Sequence, residues 1–135
     1  MMEEYRLEIG EGRAASAPDI MRSGGLGPCI AIAAYDPRTR SGYMVHEPAP
    51  GKQELAAFVQ VVENAYGGLE RVRVFAAGGA LDPYPMLPEL TGMIDESRKI
   101  VEDALRKRFG RRARFSWGEC ELFLDLKRGR FNVEH

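Results

Sequence analysis

The sequence predicts a mixed α/β domain that is rich in strands and contains two helices. Two long stretches carry apolar residues at helical spacing, and several shorter ones alternate or are wholly apolar, as strands do. With 135 residues, of which 44% are hydrophobic, the chain can bury a core of its own without disulfides. We therefore expect one domain over residues 1–135.

The strands are predicted from two kinds of pattern. Residues 4–9 alternate polar and apolar side chains, which is typical of a half-exposed strand. Residues 29–35 are wholly apolar and end at an Asp-Pro turn signal, which indicates a short buried strand. Residues 10–18 are rich in turn formers and predict a turn region. In chain order, the predicted strands are 4–9, 19–22, 29–35, 42–47, 71–77, 113–117, 121–126 and 131–133.

The helices are predicted from apolar residues at three- and four-residue spacing. The first spans about 52–66 and the second begins at 89 or 91 and ends at 109. A glycine follows each of them, as is common where a helix ends. Three prolines predict a loop at 82–88. The apolar positions are Leu55, Phe58, Val59, Val62, Tyr66, Ile94, Val101, Leu105 and Phe109.

Charge and composition narrow the possible functions. The formal net charge of −1 gives no electrostatic argument for binding nucleic acid or inserting into a membrane, and no segment has the length of a membrane-spanning helix. The N-terminus lacks the features of a signal peptide, and two cysteines make no disulfide framework, so we expect a reduced, cytoplasmic protein. Only His46 and His135 are present and the cysteines lie far apart in sequence, so we expect no metal and no cofactor.

The chemistry-bearing stretch is the glycine-rich segment 23–29, which ends in Cys29. Glycine lets backbone N–H groups approach a ligand closely because it has no Cβ. His46 ends the next predicted strand, and a cysteine and a histidine at neighbouring strand ends are the parts of a thiol nucleophile. The alternative is that Cys29 and His46 are ordinary structural residues, as we expect Cys120 to be in the core.

These segments resemble the CheD family of chemoreceptor glutamine deamidases. Family members carry Thr-x-Gly-Leu-Gly-Ser-Cys, an apolar strand that ends Tyr-Asp-Pro, and then Gly-Gly-Met-x-His. The corresponding segments here are 23–29, 35–37 and 42–46. Ile-Gly-Glu at 9–11 is similar to the family's opening strand and turn, and residues 75–80 are similar to its Phe-Gly-Gly-Ala turn.

The resemblance implies a layered α/β fold, with stacked β-sheets at the centre, two helices outside them and the cysteine in a shallow cleft. It implies that Cys29 is the nucleophile and His46 the general base and acid. Ser23 stands where the family has the threonine that orients the histidine. The glycine-rich loop, with the amides of Gly25, Gly27 and Cys29, is the expected oxyanion site.

The implied reaction converts protein glutamine to glutamate on chemoreceptor helices through a thioester, and extends to glutamyl methyl esters. An adjacent imidazole is expected to lower the pKa of the thiol by stabilising the thiolate. The resemblance also implies a CheC-like phosphatase as a second partner.

Two departures from the family pattern favour an alternative to the deamidase. Pro28 replaces a serine and has no N–H to donate, and Tyr43 replaces a glycine and is expected to fill space that the substrate needs. The alternative is a homologue with weak or no turnover that acts as a protein-binding module in chemotaxis or signalling.

The stretch 98–114 holds eight basic and two acidic residues. One interpretation is a docking face for an acidic partner or for nucleic acid. The other is a solvated helix face whose cations complement the helix dipole. Aromatic residues are not interleaved as a single-strand binder needs, so we do not expect nucleic acid to be the partner.

Overall fold

The computed structural model describes residues 1–81 and 88–135, which form two β-sheets and two helices. The helices are α1 (Lys52–Tyr66) and α2 (Pro88–Phe109), and a 3₁₀ turn at Gly110–Arg112 follows α2. None of these helices is long and apolar enough to cross a membrane. The strands are β1 (Glu4–Arg6), β2 (Gly12–Ser16), β3 (Ile20–Leu26), β4 (Ile30–Asp36), β5 (Ser41–Glu47), β6 (Arg73–Gly78), β7 (Ala113–Trp117), β8 (Cys120–Asp125) and β9 (Arg130–Glu134).

The two sheets divide the strands between them. The five-stranded sheet has the order β2-β5-β4-β6-β7, and the four-stranded sheet has the order β1-β3-β8-β9. β4 is antiparallel to both of its neighbours, β5 and β6. β7 and β9 are edge strands of their sheets.

The core lies on both faces of the five-stranded sheet. Ile30 and Ile32 of β4 pack with the apolar stripes of α1 and α2. Ala31 and Ala33 pack on the other face, against Met21, Leu122 and Leu124 of the four-stranded sheet. The order of layers is therefore sheet, sheet, helices, which confirms the predicted layered α/β class and places both helices on one side. β4 is buried along its whole length because it is covered on both faces, and this explains its unbroken apolar sequence.

The predicted helices are confirmed. α1 has the predicted ends, and Gly67 after it adopts the left-handed conformation that ends many helices. Gly110, after α2, also has a positive φ of 58°. Cys120 is buried, as predicted, and both cysteines are free thiols.

Two predictions in the first third of the chain are wrong. Residues 12–16, predicted as part of a turn region, form β2 by pairing with β5, although their small and polar side chains give no strand pattern. β3 continues through the glycines to Leu26, with a bulge between Arg22 and Gly25, so only 27–29 form the turn. Of the loop predicted at 82–88, residues 82–87 lie outside the described residues, and Pro88 begins α2.

Candidate active site

Cys29 lies at the end of the turn that joins β3 to β4, and is half-buried. The turn is fixed through its carbonyl groups. The N–H of Gly79 donates to the Cys29 carbonyl at 2.9 Å, and the N–H of Ala80 donates to the Gly27 carbonyl at 2.8 Å. The segment that follows β6 therefore holds the cysteine in place.

Gly78 makes this approach of two backbones possible. Its φ is 99°, and a Cβ added there would overlap the Cys29 carbonyl oxygen. The Gly-Gly pair at 78–79 belongs to the segment that is similar to the family's Phe-Gly-Gly-Ala turn. In the structure this pair contacts the turn that ends in Cys29 and stabilises it.

His46 lies on the same face of the sheet as Cys29. β4 and β5 are antiparallel, and Ala31 of β4 is in register with His46 of β5. Ala31 and Met44 face the layer between the sheets, and Cys29 packs against that layer. Because side chains alternate between the faces of a strand, Cys29 and His46 share this face, at the beginning of one strand and the end of the other.

The imidazole of His46 is only 4% exposed, and neither ring nitrogen has a hydrogen-bond partner among the described residues. An unsatisfied buried polar group costs about 1–3 kcal/mol, so a buried imidazole without a partner requires an explanation.

The N-terminal turn fixes the backbone of His46. The His46 N–H donates to the Glu11 carbonyl at 3.0 Å, and the Gly10 N–H donates to the His46 carbonyl at 2.7 Å. Sequence reasoning did not connect the Ile-Gly-Glu segment at 9–11 with the histidine. The sequence offered one signal for this contact, namely that the Ile-Gly-Glu segment is among those that resemble the family.

Ser23 is fully buried in β3, and its hydroxyl is engaged within its own sheet. It donates to the Gly24 carbonyl at 2.6 Å and accepts from the Leu122 N–H at 3.0 Å. The structure contains no hydrogen bond between Ser23 and His46, since both ring nitrogens lack partners in the described part of the chain. The hydroxyl instead satisfies backbone groups beside the bulge in β3.

We expect Ser23→Ala to lower the free energy of unfolding by about 1–3 kcal/mol, because it leaves the buried Leu122 N–H without an acceptor. Chemical denaturation measures this change. Ser16→Ala is the matched control, since the Ser16 hydroxyl is exposed and bonds to the Ser41 hydroxyl at the surface, and we expect an effect within about 0.5 kcal/mol. Equal effects of the two substitutions would contradict this role of Ser23.

The pKa of the Cys29 thiol shifts in the direction opposite to the one expected from an adjacent imidazole. The pKa of the thiol is raised, first by burial and second by the Glu47 carboxylate. Burial and the neighbouring Glu54 also raise the pKa of Glu47 itself, while His46 acts in the opposite direction. Glu47 was not singled out from the sequence. Burial and the Glu47 carboxylate therefore both disfavour the thiolate form of Cys29.

We expect Glu47→Gln to accelerate alkylation of Cys29 at neutral pH. The Glu47 anion disfavours a second negative charge nearby, so its removal lowers the pKa of the thiol and increases the thiolate fraction. The profile of alkylation rate against pH should move to lower pH, as measured by peptide mass spectrometry with Cys120 as internal reference. Glu70→Gln, a charge removal in the loop before β6, should leave the profile unchanged, and a Glu47→Gln profile at higher pH would refute the assignment.

The two departures from the family pattern lie in different places. Tyr43 faces the helices, where it packs against Phe58 with ring centroids 5.8 Å apart. It is on the opposite face of β5 from His46. That Tyr43 fills space that the substrate needs stays a prediction. Pro28 is exposed within the turn and offers no N–H.

The backbone N–H groups of the turn are the expected oxyanion donors. The amides of Gly27 and Cys29 make no backbone hydrogen bond outside the strand ladders to any other described residue. Gly25 lies within β3, in register with Glu121. Apart from the adjacent residues, no described residue has an atom within 4 Å of a Cβ built on Gly25 or Gly27, so the backbone is open on that side. An open depression beside the turn is lined by Gly25 and Gly27, and by Cys120 rather than Cys29.

No protein-family model matches the sequence, but individual relatives do. The chain is 36% identical over 98 residues to a probable chemoreceptor glutamine deamidase CheD of Symbiobacterium thermophilum, a match that covers 58% of this chain and 59% of that protein. It is 30% identical over 118 residues to the probable chemoreceptor glutamine deamidase CheD of Archaeoglobus fulgidus, covering 78% of this chain and 74% of that protein. The chain thus spans less than two thirds of the length of the first of these relatives.

Among solved structures, the chain is similar to the hypothetical protein YfiH of Bacillus licheniformis. The TM-score is 0.57 at 11% sequence identity, over 83% of this chain and 60% of that one. At this identity the likeness concerns the fold alone.

Proposed function

This chain belongs to the CheD family of chemoreceptor glutamine deamidases, and from that premise we propose that it hydrolyses glutamine side-chain amides on chemoreceptor helices, with Cys29 as the nucleophile. The observation that carries the proposal is the buried imidazole of His46, which has no partner among the described residues and shares a sheet face with Cys29. The structure gives this imidazole no bond that would compete with proton transfer.

In the first half of the reaction, the Cys29 thiol gives its proton to His46 as the sulfur attacks the carboxamide carbon. The carbonyl oxygen becomes an oxyanion, for which the amides of Gly27 and Cys29 are the proposed donors. The carbon–nitrogen bond then breaks, His46 returns the proton to the nitrogen, and ammonia leaves. A thioester between Cys29 and the substrate remains.

In the second half, His46 takes a proton from water as the water oxygen attacks the thioester carbon. The carbon–sulfur bond breaks, the thiol recovers a proton from His46, and glutamate is released. A glutamyl methyl ester would follow the same steps with methanol as the leaving group. These steps use only side chains, amides and water. Two roles that the resemblance implies, those of Ser23 toward His46 and of Gly25 toward the oxyanion, stay predictions.

A half-buried cysteine on a turn, beside an open depression, fits a side chain presented by a surface helix better than a small metabolite. Two free thiols fit a reducing compartment, so we place the reaction in the cytoplasm. A CheC-like phosphatase as a second partner rests on the family alone.

The test is to incubate the protein with a cytoplasmic-helix fragment of a chemoreceptor and to quench the reaction with acid. We expect ammonia release, conversion of glutamine to glutamate, and an acyl adduct on the Cys29 peptide but not on the Cys120 peptide. A fragment whose reactive glutamine is replaced by alanine is the control. Binding of the fragment without conversion would reject the deamidase in favour of the protein-binding module, for which the raised pKa of Cys29 and the missing N–H of Pro28 are the supporting observations.

A further inference from the structure

A groove lined by arginines lies at the edge of the two sheets. It is bounded by β6, by the segment that leads into β7, and by the turn into β9. No acidic residue is among the described residues that line it. We call it the arginine groove, and its arginines are Arg73, Arg111, Arg112, Arg114 and Arg130.

The arginine groove is remote from the cysteine. β6 pairs with β4 so that Gly78 is opposite Ile30, next to Cys29, while Arg73 is opposite Tyr35 at the other end. Five residues of β-strand separate these ends, and at about 3.3 Å per residue this is roughly 17 Å. The groove is therefore a different site from that of the proposed deamidation.

Three of the five guanidinium groups form no ion pair or hydrogen bond with a described residue. Arg73 donates to the Gly129 carbonyl at 2.7 Å, and Arg112 donates to the carbonyls of Leu69 and Val72, so these two build the walls of the groove. The other three, namely Arg111, Arg114 and Arg130, are exposed and make no ion pair or side-chain hydrogen bond with another residue in the described part of the chain.

Most basic residues of α2 are engaged. Lys99, Arg106 and Arg108 pair with Asp95, Glu102 and Glu63, whereas Lys107 makes no such pair in the described part of the chain. The basic stretch 98–114 therefore consists of a helical part with mostly ion-paired cations and a cationic end that includes Arg111 and Arg114. That end is joined by Arg130, which comes from a distant strand.

The groove also has an apolar part. Phe75 of β6 and Phe131 of β9 are half-buried, and their ring centroids are 5.6 Å apart. Both rings pack against the core between the sheets. The rings contact each other and the core, and both line the groove, so they form its apolar part.

We infer that the arginine groove docks an acidic peptide segment of a partner protein. The carboxylates pair with Arg111, Arg114 and Arg130, whose planar guanidinium groups suit bidentate contacts, and an apolar side chain lies against Phe75 and Phe131. We choose an acidic partner because of charge complementarity. The three unpaired guanidinium groups have no acidic neighbour among the described residues that line the groove, so they attract anionic side chains. The inference does not depend on the proposed deamidase activity.

The test measures binding of a short fluorescent peptide in which glutamates surround one phenylalanine. We expect Arg114→Glu/Arg130→Glu to weaken binding by about tenfold or more, because it replaces two attractive contacts by repulsive ones. The matched control is the single charge reversal Lys107→Glu on α2, for which we expect a change of less than about twofold. Circular dichroism of each variant establishes that it is folded, and Arg114→Gln/Arg130→Gln provides a milder second variant.

Four other outcomes would overturn the inference or one part of it. If the peptide does not bind, the groove is not a docking site. If the groove variants and Lys107→Glu lose the same amount of affinity, the attraction is non-specific. Tighter binding of a single-stranded oligonucleotide than of the peptide would identify a nucleic-acid site. Equal binding of a peptide whose phenylalanine is replaced by serine would remove the role of Phe75 and Phe131. Retention of binding by Cys29→Ala protein separates this site from the proposed catalysis.

Discussion

Replacing Cys29 by alanine should reduce deamidation of a chemoreceptor fragment on the order of 10⁴-fold or more, because no thioester forms without the sulfur. His46→Ala should cause a loss of similar kind, since the raised pKa of the thiol makes attack dependent on a base that removes its proton. Ammonia release and mass spectrometry of the fragment measure both effects. The two losses should not add in the double variant, because the pair acts as one unit.

Cys120→Ala is the control for this experiment. Cys120 is buried in the core between the sheets, so its substitution should lower stability modestly and leave the deamidation rate near that of the natural chain. Full activity of Cys29→Ala would refute the proposed mechanism.

Gly78→Ala should lower the free energy of unfolding by about 3–5 kcal/mol, the second large effect we expect. Alanine at a φ of 99° is strained, and its Cβ would in addition overlap the carbonyl of Cys29. Relief of that overlap requires the turn at 27–29 to shift, so the rate of Cys29 alkylation should change as well. Denaturant titration and peptide mass spectrometry measure the two effects.

Gly118→Ala separates conformational strain from close approach. Gly118 has a φ of 125°, yet within the described ranges only its own chain neighbours come within 4 Å of a Cβ built on it. We expect its substitution to cost about 1–2 kcal/mol and to leave alkylation of Cys29 unchanged. If both glycines gave the same loss, the contact with Cys29 would have no energetic role.

Much of the fold can be predicted from local sequence. The ends of α1 follow from its apolar stripe and from Gly67, and the unbroken apolar run of β4 indicates a strand covered on both faces. The position of Cys29 and His46 at the ends of neighbouring strands follows from the short connection between β4 and β5. The alternation of β5 could also have been used to place Tyr43 and His46 on opposite faces, because the period of a strand is two.

Tertiary structure decided the features that depend on segments far apart in the chain. β2 exists because β5 offers it a partner. The turn at 9–11 holds the backbone of His46, and Arg130 joins Arg111 and Arg114 only when the two sheets are assembled. The raised pKa of Cys29 depends on burial and on Glu47, which are consequences of packing. By itself, the sequence determined most of the local structures and which residues are candidates for the chemistry, because these depend on neighbouring dihedral angles, burial patterns and residue types. Hydrogen-bond partners and local electrostatics were decided by long-range pairing, which leaves no local pattern in a single sequence.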